Sequence, residues 1–215
     1  MFDKYVDVNI KDEKSVFIDS EVVIGKNVTI YENNRIEGKT IIGDNVVIMP
    51  GCYIIDSKIE DGVKLNSSQI ENSYVGKNCT IGPFAHLRPN CKLFDDVKIG
   101  NFVEIKNSEI GKGTKVSHLA YVGDSVVGKD CNIGCGAIFV NYNGRNKSKT
   151  IVGDNCFIGS NCNIIAPVNI ADKSYICAGT TVTENVSTDD FVIGRVRQEV
   201  KKNRAHCYLK ETKGV

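Results

Sequence analysis

Aliphatic residues recur every six positions along most of this chain, a spacing that neither a helix nor a lone strand produces. The beat runs through Ile24, Ile30, Ile36, Ile42, Ile48 and Ile54, through Val75, Ile81, Leu87, Leu93, Ile99 and Ile105, and through Val152, Ile158, Ile164, Ile170, Ile176 and Val182. Helices place apolar residues three and four apart and half-buried strands place them two apart, so a period of six means short strands separated by corners. Between the runs it continues through Ile59, Leu65, Ile70, Ile110, Val116, Val122, Val127 and Ile133, with occasional steps of five. Four residues after the aliphatic position there is usually a small or β-branched residue, as at Val28, Thr40, Cys79, Ala85, Thr114 and Thr180, which marks a second inward slot. The exceptions Lys58, Gln69, Tyr74 and Glu109 fall at the short steps. Glycine often follows the aliphatic residue directly, as in Ile24-Gly25 and Ile133-Gly134, where it is expected to relax a corner. One such coil cannot bury its inward face, so coils must stack. The expectation is an all-β solenoid occupying 1–186 as one unit, with one extended loop and a short tail over 187–215.

Composition narrows the function classes. The 27 basic and 26 acidic residues cancel to a formal charge of +1, so no global positive field draws the chain to nucleic acid. No apolar run is long enough to span a bilayer and no cleavable leader follows the start, which makes a soluble cytoplasmic protein the expectation. Of the nine cysteines, Cys52, Cys79, Cys91, Cys131, Cys156 and Cys162 occupy the small inward slot, where a free thiol behaves as a compact hydrophobe. No pair has C-x-x-C spacing, so no metal site is expected from them, and Cys135, Cys177 and Cys207 lie outside the slot.

The beat is expected to fail between Ile133 and Val152, where the polar and basic stretch from Phe139 to Lys149 intrudes, a candidate functional loop. Arg88 and Lys106 each follow the aliphatic position and lie 18 residues apart, one full coil. They should therefore stack about 4.8 Å apart on one corner, where an anion such as a phosphate would relieve their repulsion. Tyr121 arrives near the same corner one coil further on, and His118 precedes it by three residues. Histidine titrates nearest neutrality, which makes His118 a candidate base and His86 its rival. His86, Glu104 and Tyr121 occupy equivalent positions on successive coils, so Glu104 could pair with His86 or orient His118.

The stretches Gly82-Pro83-Phe84-Ala85-His86-Leu87-Arg88-Pro89, Gly100-Asn101-Phe102-Val103-Glu104-Ile105-Lys106, His118-Leu119-Ala120-Tyr121 and Asn141-Tyr142-Asn143-Gly144 carry a closer match. They resemble the C-terminal acetyltransferase domain of the bifunctional N-acetylglucosamine-1-phosphate uridylyltransferase/glucosamine-1-phosphate acetyltransferases, within the hexapeptide-repeat family. The resemblance extends from the first coil to about Arg195. It implies a left-handed parallel β-helix, a homotrimer with active sites between subunits, and acetyl transfer from acetyl-CoA to the amino group of glucosamine-1-phosphate. It further implies that His118 accepts the proton, that Arg88, Lys106, Tyr121 and Asn132 hold the phosphorylated amino sugar, and that Cys135, Asn141, Tyr142, Ser160, Ala178 and Arg195 contact acetyl-CoA.

Three departures stand out. Position 135 is Cys where the family usually has Ala, Asn143 stands where it usually has Asp, and no uridylyltransferase region precedes the helix in this sequence, so at most the acetyl step is expected of it unless it is a fragment of a longer protein. A covalent route through Cys135 lacks any base that the sequence places beside the thiol. Another amino sugar or nucleotide-linked acceptor, and a non-catalytic assembly module, remain the alternatives. A hexapeptide-fold carbonic anhydrase would need three histidine ligands, and only His86, His118 and His206 exist, the last beyond the repeat. The basic tail with Arg195, Arg197, Lys201, Lys202 and Arg204 is a further candidate for holding the phosphates of CoA.

Overall fold

The structure is a computed structural model that describes residues 7–209. Short parallel strands wind into a single-stranded β-solenoid of about ten turns, the all-β fold expected and in accord with a left-handed β-helix. The one helical element among the described residues is a short 3-10 turn at Ala205–Cys207 in the tail.

Each turn has three faces. In the middle of the chain the first face carries Thr80–Ile81, Asn132–Ile133 and Phe157–Ile158. The second carries His86–Leu87, Ile138–Val140 and Asn163–Ile165. The third carries Lys92–Leu93, Ser125–Val127 and Thr150–Val152. Two long strands, Lys98–Lys106 and Lys115–Gly123, run from the first face through the corner into the second. The beat residues lie directly over one another, Leu87 on Ile105 on Val122 and Ile99 on Val116 on Ile133. Together they form one continuous core in which Ile36, Ile48, Ile54, Leu87 and Ile105 are fully buried. Each such side chain removed from water contributes about 1.5–3 kcal/mol.

The second inward slot is equally regular. Val28, Thr40, Ala85, Thr114, Thr180 and the six slot cysteines are all buried. Burial pushes the Cys52 thiol up to about 11 and that of Cys79 to about 12, so these groups stay neutral and behave as packing atoms. Cys177 is also buried, whereas Cys135 and Cys207 are exposed.

Three details differ from the expectation. The beat does not fail at Ile133: Phe139, six residues on, is fully buried in the inward position with Ala137 in the small slot, so the insertion begins at Asn141. An aromatic ring fills the volume that an aliphatic residue fills elsewhere. Glycine after the aliphatic residue answers at Gly25, Gly134 and Gly159 to close packing of coils rather than to turning, whereas Gly82, at φ 101°, turns as expected. A Cβ on Gly25 would meet Asp44 Oδ1 at 2.3 Å, while the nearby corner is turned by Asn27 in the left-handed region at φ 54°. Lastly, the five-residue steps are built by serine. Ser57, Ser68, Ser73, Ser108 and Ser125 enter the inward slot one residue early, and each hydroxyl donates to the carbonyl two residues before it at 2.6–2.8 Å. The oxygens of Ser57, Ser68, Ser73 and Ser108 also accept a backbone N–H from the next coil.

In-register pairing starts at Val8–Ile10 on Val28–Ile30 and ends with Phe191–Val192 on Tyr175–Ile176, just past residue 186 where the aliphatic beat ends. Residues 1–6 and 210–215 of the two expected segments lie outside the described residues. No helix among the described residues is long and apolar enough to cross a membrane.

Ser108→Ala removes a hydroxyl that accepts the buried Ser125 N–H at 2.9 Å. The orphaned donor is expected to cost about 1–3 kcal/mol, read as a lower urea midpoint with an unchanged m-value.

Candidate active site

Because coils repeat about every 4.8 Å, residues at equivalent corner positions form columns. The corner between the first and second faces carries Asn101, His118, Cys135, Ser160 and Ala178 in one column. Asn101 lies opposite His118, and the pairings of Val116 with Ile133, Ile133 with Ile158 and Ile158 with Ile176 carry the alignment onward. Inter-coil hydrogen bonds from Asn161 N to Cys135 O and from Gly179 N to Ser160 O, both 2.8 Å, fix the same register. Arg195 closes the column by donating from Nη1 to the Ala178 carbonyl at 3.0 Å.

His118 is exposed, and its Nδ1 lies 2.8 Å from Asn101 Oδ1. An amide oxygen only accepts, so Nδ1 carries the hydrogen and Nε2 presents a lone pair to solvent, the tautomer a general base requires. Glu104 serves neither histidine, contrary to both arrangements considered from sequence: it accepts from Arg88 Nη1 at 2.9 Å. His86, the rival base, has Nε2 2.8 Å from Glu71 Oε1, so that nitrogen is already engaged. The successive positions of His86, Glu104 and Tyr121 are as expected.

The corner between the second and third faces carries Arg88, Lys106 and Gly123. Arg88 N bonds Ile105 O, and Lys106 pairs with Gly123. The Tyr121 ring folds over Gly123, where a Cβ would meet its hydroxyl at 2.4 Å. Asn141, at the base of the loop, donates to the same hydroxyl at 3.3 Å. The cation stack is thus real, and Tyr121 joins it through the space that glycine leaves.

Lys147, which was not singled out from sequence, reaches this corner from the loop. Its contact, together with partial desolvation and the Arg88 charge, holds the Lys106 ammonium below its usual 10.5. Three cations converge there, one of them already paired with Glu104, and a cleft of about 320 Å³ lined by Asn107, Asp124, Lys147 and Ser148 opens alongside. The loop's basic composition was visible in the sequence, but nothing there showed which way it folds.

Not every expected residue converges within one chain. Asn132 projects from the first face, in register with Lys115 and Phe157, across a corner from Tyr121. Asn141 and Tyr142 lie at the second corner, away from the column of Cys135, Ser160 and Ala178, and the Tyr142 hydroxyl donates to Gly144 O at 2.7 Å. The register also supplies what the sequence lacked for Cys135, placing His118 one coil away. Beside the His118 column runs an exposed ridge of Phe84, Phe102 and Leu119, each 58–60% exposed, with the two phenyl rings stacked at 5.6 Å. Among the described residues no group of three or more His, Cys, Asp or Glu side chains is placed to hold a metal ion.

Fold and columns together define a hexapeptide-repeat β-solenoid carrying a histidine column on one corner and a cation stack on another. The chain belongs to the family described as the GMPPB C-terminal domain, which matches residues 18–99 and 70–143, and a hexapeptide repeat of succinyl-transferase matches residues 149–184. Curated relatives include the Bifunctional protein GlmU of Clostridium novyi (strain NT), 50% identical over 89% of this chain, and that of Clostridioides difficile (strain 630), 49% identical over 91%. The resemblance read from the sequence is thereby borne out, although the chain spans only 42% of the length of these relatives. A solved UDP-N-acetylglucosamine acyltransferase superposes with a TM-score of 0.54 at 22% identity, covering 86% of this chain and 71% of that one, a likeness of fold.

The depressed Lys106 predicts a pH effect with a definite sign. A lysine binds an anion only while protonated, so affinity of this corner for inorganic phosphate falls as pH rises, and does so earlier than for an ordinary lysine. Lys147→Ala should weaken binding at neutral pH and also move this alkaline limb to higher pH. A limb that stays in place in phosphate titrations would show that Lys147 does not set the Lys106 charge.

Proposed function

We propose that this chain transfers an acetyl group from acetyl-CoA to the amine of glucosamine-1-phosphate, with His118 as general base. The observation that carries the reading is the corner column: His118 stands at the head of Cys135, Ser160 and Ala178, small residues on three successive coils, with Arg195 beyond them. Three coil steps span about 14 Å. An extended pantetheine arm fits along such a ridge, with its thioester end toward the base and its phosphates toward the Arg195 guanidinium and the basic tail.

Acetyl-CoA supplies the activated acetyl group. The protein's part is to hold the sugar amine beside His118 Nε2, which accepts the amine proton as the nitrogen–carbon bond forms. Asn101 fixes the ring and its tautomer. Arg88, Lys106 and Tyr121 take the phosphate of the sugar, and Lys147 joins them. Amine attack is direct in this reading, although His118 lies one coil from Cys135.

Two features favour a homotrimer with shared sites. Asn132, Asn141 and Tyr142 are turned away from the groups they would serve within one chain, and the ridge of Phe84, Phe102 and Leu119 offers apolar surface beside the base. A second copy set against this corner would bring its own Asn132 and loop to the site.

His118→Ala is expected to lower turnover about 100-fold or more with the fold intact, and Asn101→Ala to lower it by a smaller factor through loss of ring orientation. Cys135→Ala should leave turnover within about threefold, whereas abolished activity would mean the thiol carries the acetyl group. The assay is thiol release from CoA with glucosamine-1-phosphate against other amines. Equal rates for unphosphorylated glucosamine would reject the acceptor.

Shared sites predict complementation. Mixed trimers of inactive His118→Ala chains and inactive loop-deleted chains should recover part of the activity. A monomer by sedimentation, or no recovery despite proven mixing, would reject the shared site.

A further inference from the structure

The loop that brings Lys147 to the cation corner is tied at both ends to one residue, Asp124. Asp124 turns the corner in the left-handed region at φ 49°, in the series that Asn72, Asn90 and Asn107 occupy on earlier coils. Its backbone N–H donates to Lys106 O at 3.0 Å, and its carbonyl accepts the N–H of Thr150 at 3.3 Å, where the chain returns from the loop. The side chain holds the outgoing stem: Oδ2 accepts from Asn141 Nδ2 at close range, while Oδ1 accepts from Asn107 Nδ2 at 2.6 Å. Asn141 is only 8% exposed, and its own carbonyl accepts the Ser148 N–H at 2.8 Å, which draws the two stems together. Partial burial works to raise the Asp124 pKa. The hydrogen bonds from Asn107 and Asn141, with the charges of Lys106 and Lys147, outweigh it and hold the carboxyl below 3.8.

We propose that Asp124 is a positioning residue for the anion corner: its carboxylate and carbonyl clamp the two stems of the 141–149 loop and so hold Asn141, Tyr121 and Lys147 around Lys106. This deepens the reading of that corner as the seat of the sugar phosphate and rests on it, whereas the clamp itself rests on the hydrogen bonds alone. A turn requires only the left-handed backbone, which asparagine adopts at the same corner on three other coils. A clamp requires two acceptor oxygens facing two amide donors. Asp124→Asn separates the two roles, because it keeps the turn and sets an NH2 group against one of the donors.

The experiment uses the full chain. Trypsin cleavage after Arg145, Lys147 and Lys149 reports loop closure without reference to activity, and steady-state kinetics report the corner. In Asp124→Asn, cleavage in the loop should rise about tenfold or more, in line with the loss of one charge-assisted hydrogen bond, while the melting temperature of the solenoid shifts little. The KM for glucosamine-1-phosphate should rise by about tenfold or more with kcat within about threefold, and the KM for acetyl-CoA, whose expected contacts Asn141 and Tyr142 lie on the same loop, should rise by less. Unchanged loop cleavage overturns the clamp. Faster cleavage with the KM for glucosamine-1-phosphate unchanged, or with kcat alone falling, overturns the positioning role. If the parent chain acetylates some other amine and not glucosamine-1-phosphate, the acceptor reading fails while the cleavage rates still judge the clamp. Should Asp124→Asn not fold, Asn141→Leu removes the opposing donor and must open the loop in the same way, and unchanged cleavage there overturns the clamp equally.

Discussion

Everything functional in this molecule depends on the in-register parallel stacking of its coils. Each coil donates backbone N–H groups to the carbonyls of the next, so a residue's neighbour is the one a coil later rather than the one beside it in sequence. The lattice that results has a fixed spacing along the axis and a fixed angle at each corner. Side chains placed at one corner position on consecutive coils form a row about 4.8 Å apart, whatever their chemistry. The rows are the functional unit here: a histidine with small residues on one corner, cations on another.

Stacking also forces like groups together, and the structure shows how the chain manages this. Arg88 over Lys106 would be repulsive alone, yet Glu104 lies two residues before Lys106 on the same strand and answers Arg88. Lys106 is left facing Lys147 and is held below its normal pKa even with the Asp124 carboxylate nearby, so positive charge at the corner is only partly offset. On the first corner the neighbour of the base is an amide, Asn101, rather than a carboxylate. The amide carries no charge and orients the ring through a single hydrogen bond to Nδ1, which leaves Nε2 as the outward nitrogen.

Much of this was legible in the sequence because the period of six holds over most of the coils. The beat alone identified the buried aliphatics, the cysteine slot, the stacking of Arg88 on Lys106 and the shared row of His86, Glu104 and Tyr121. What it hid were substitutions of chemistry at constant geometry. Phe139 keeps the beat with an aromatic ring, and Ser108 or Ser125 enters the slot one residue early by bonding its own turn. Side-chain pairing was not legible either. Register placed Glu104 near three partners, and only rotamer choice selects Arg88 over His86 and His118. The column of Cys135, Ser160 and Ala178 lay across steps of 25 and 18 residues, because the loop lengthens one coil, and unequal steps conceal a column that equal ones reveal.

The prism shape then bears on how a site of this kind can be completed. His118 sits on one edge of the second face and the Arg88–Lys106 stack on the other, so both are reachable from that face, and Tyr121 lies between them. Asn132 is on the far side of the His118 corner, and a convex corner turns adjoining faces away from each other. No side-chain rotation brings a group from the first face around that edge onto the second. A solenoid coil is also too tightly packed to fold back on itself, since the beat residues fill its interior. Enclosure of a ligand on such a surface must therefore come from outside the prism, either from a loop that leaves it or from another prism. The 141–149 loop is the one long departure from the lattice between Val8 and Val192, and it leaves from the corner that carries the cations. The proposed sharing of sites between copies is the arrangement in which that loop and the first face of a neighbour close over the second face, which one convex prism cannot do alone.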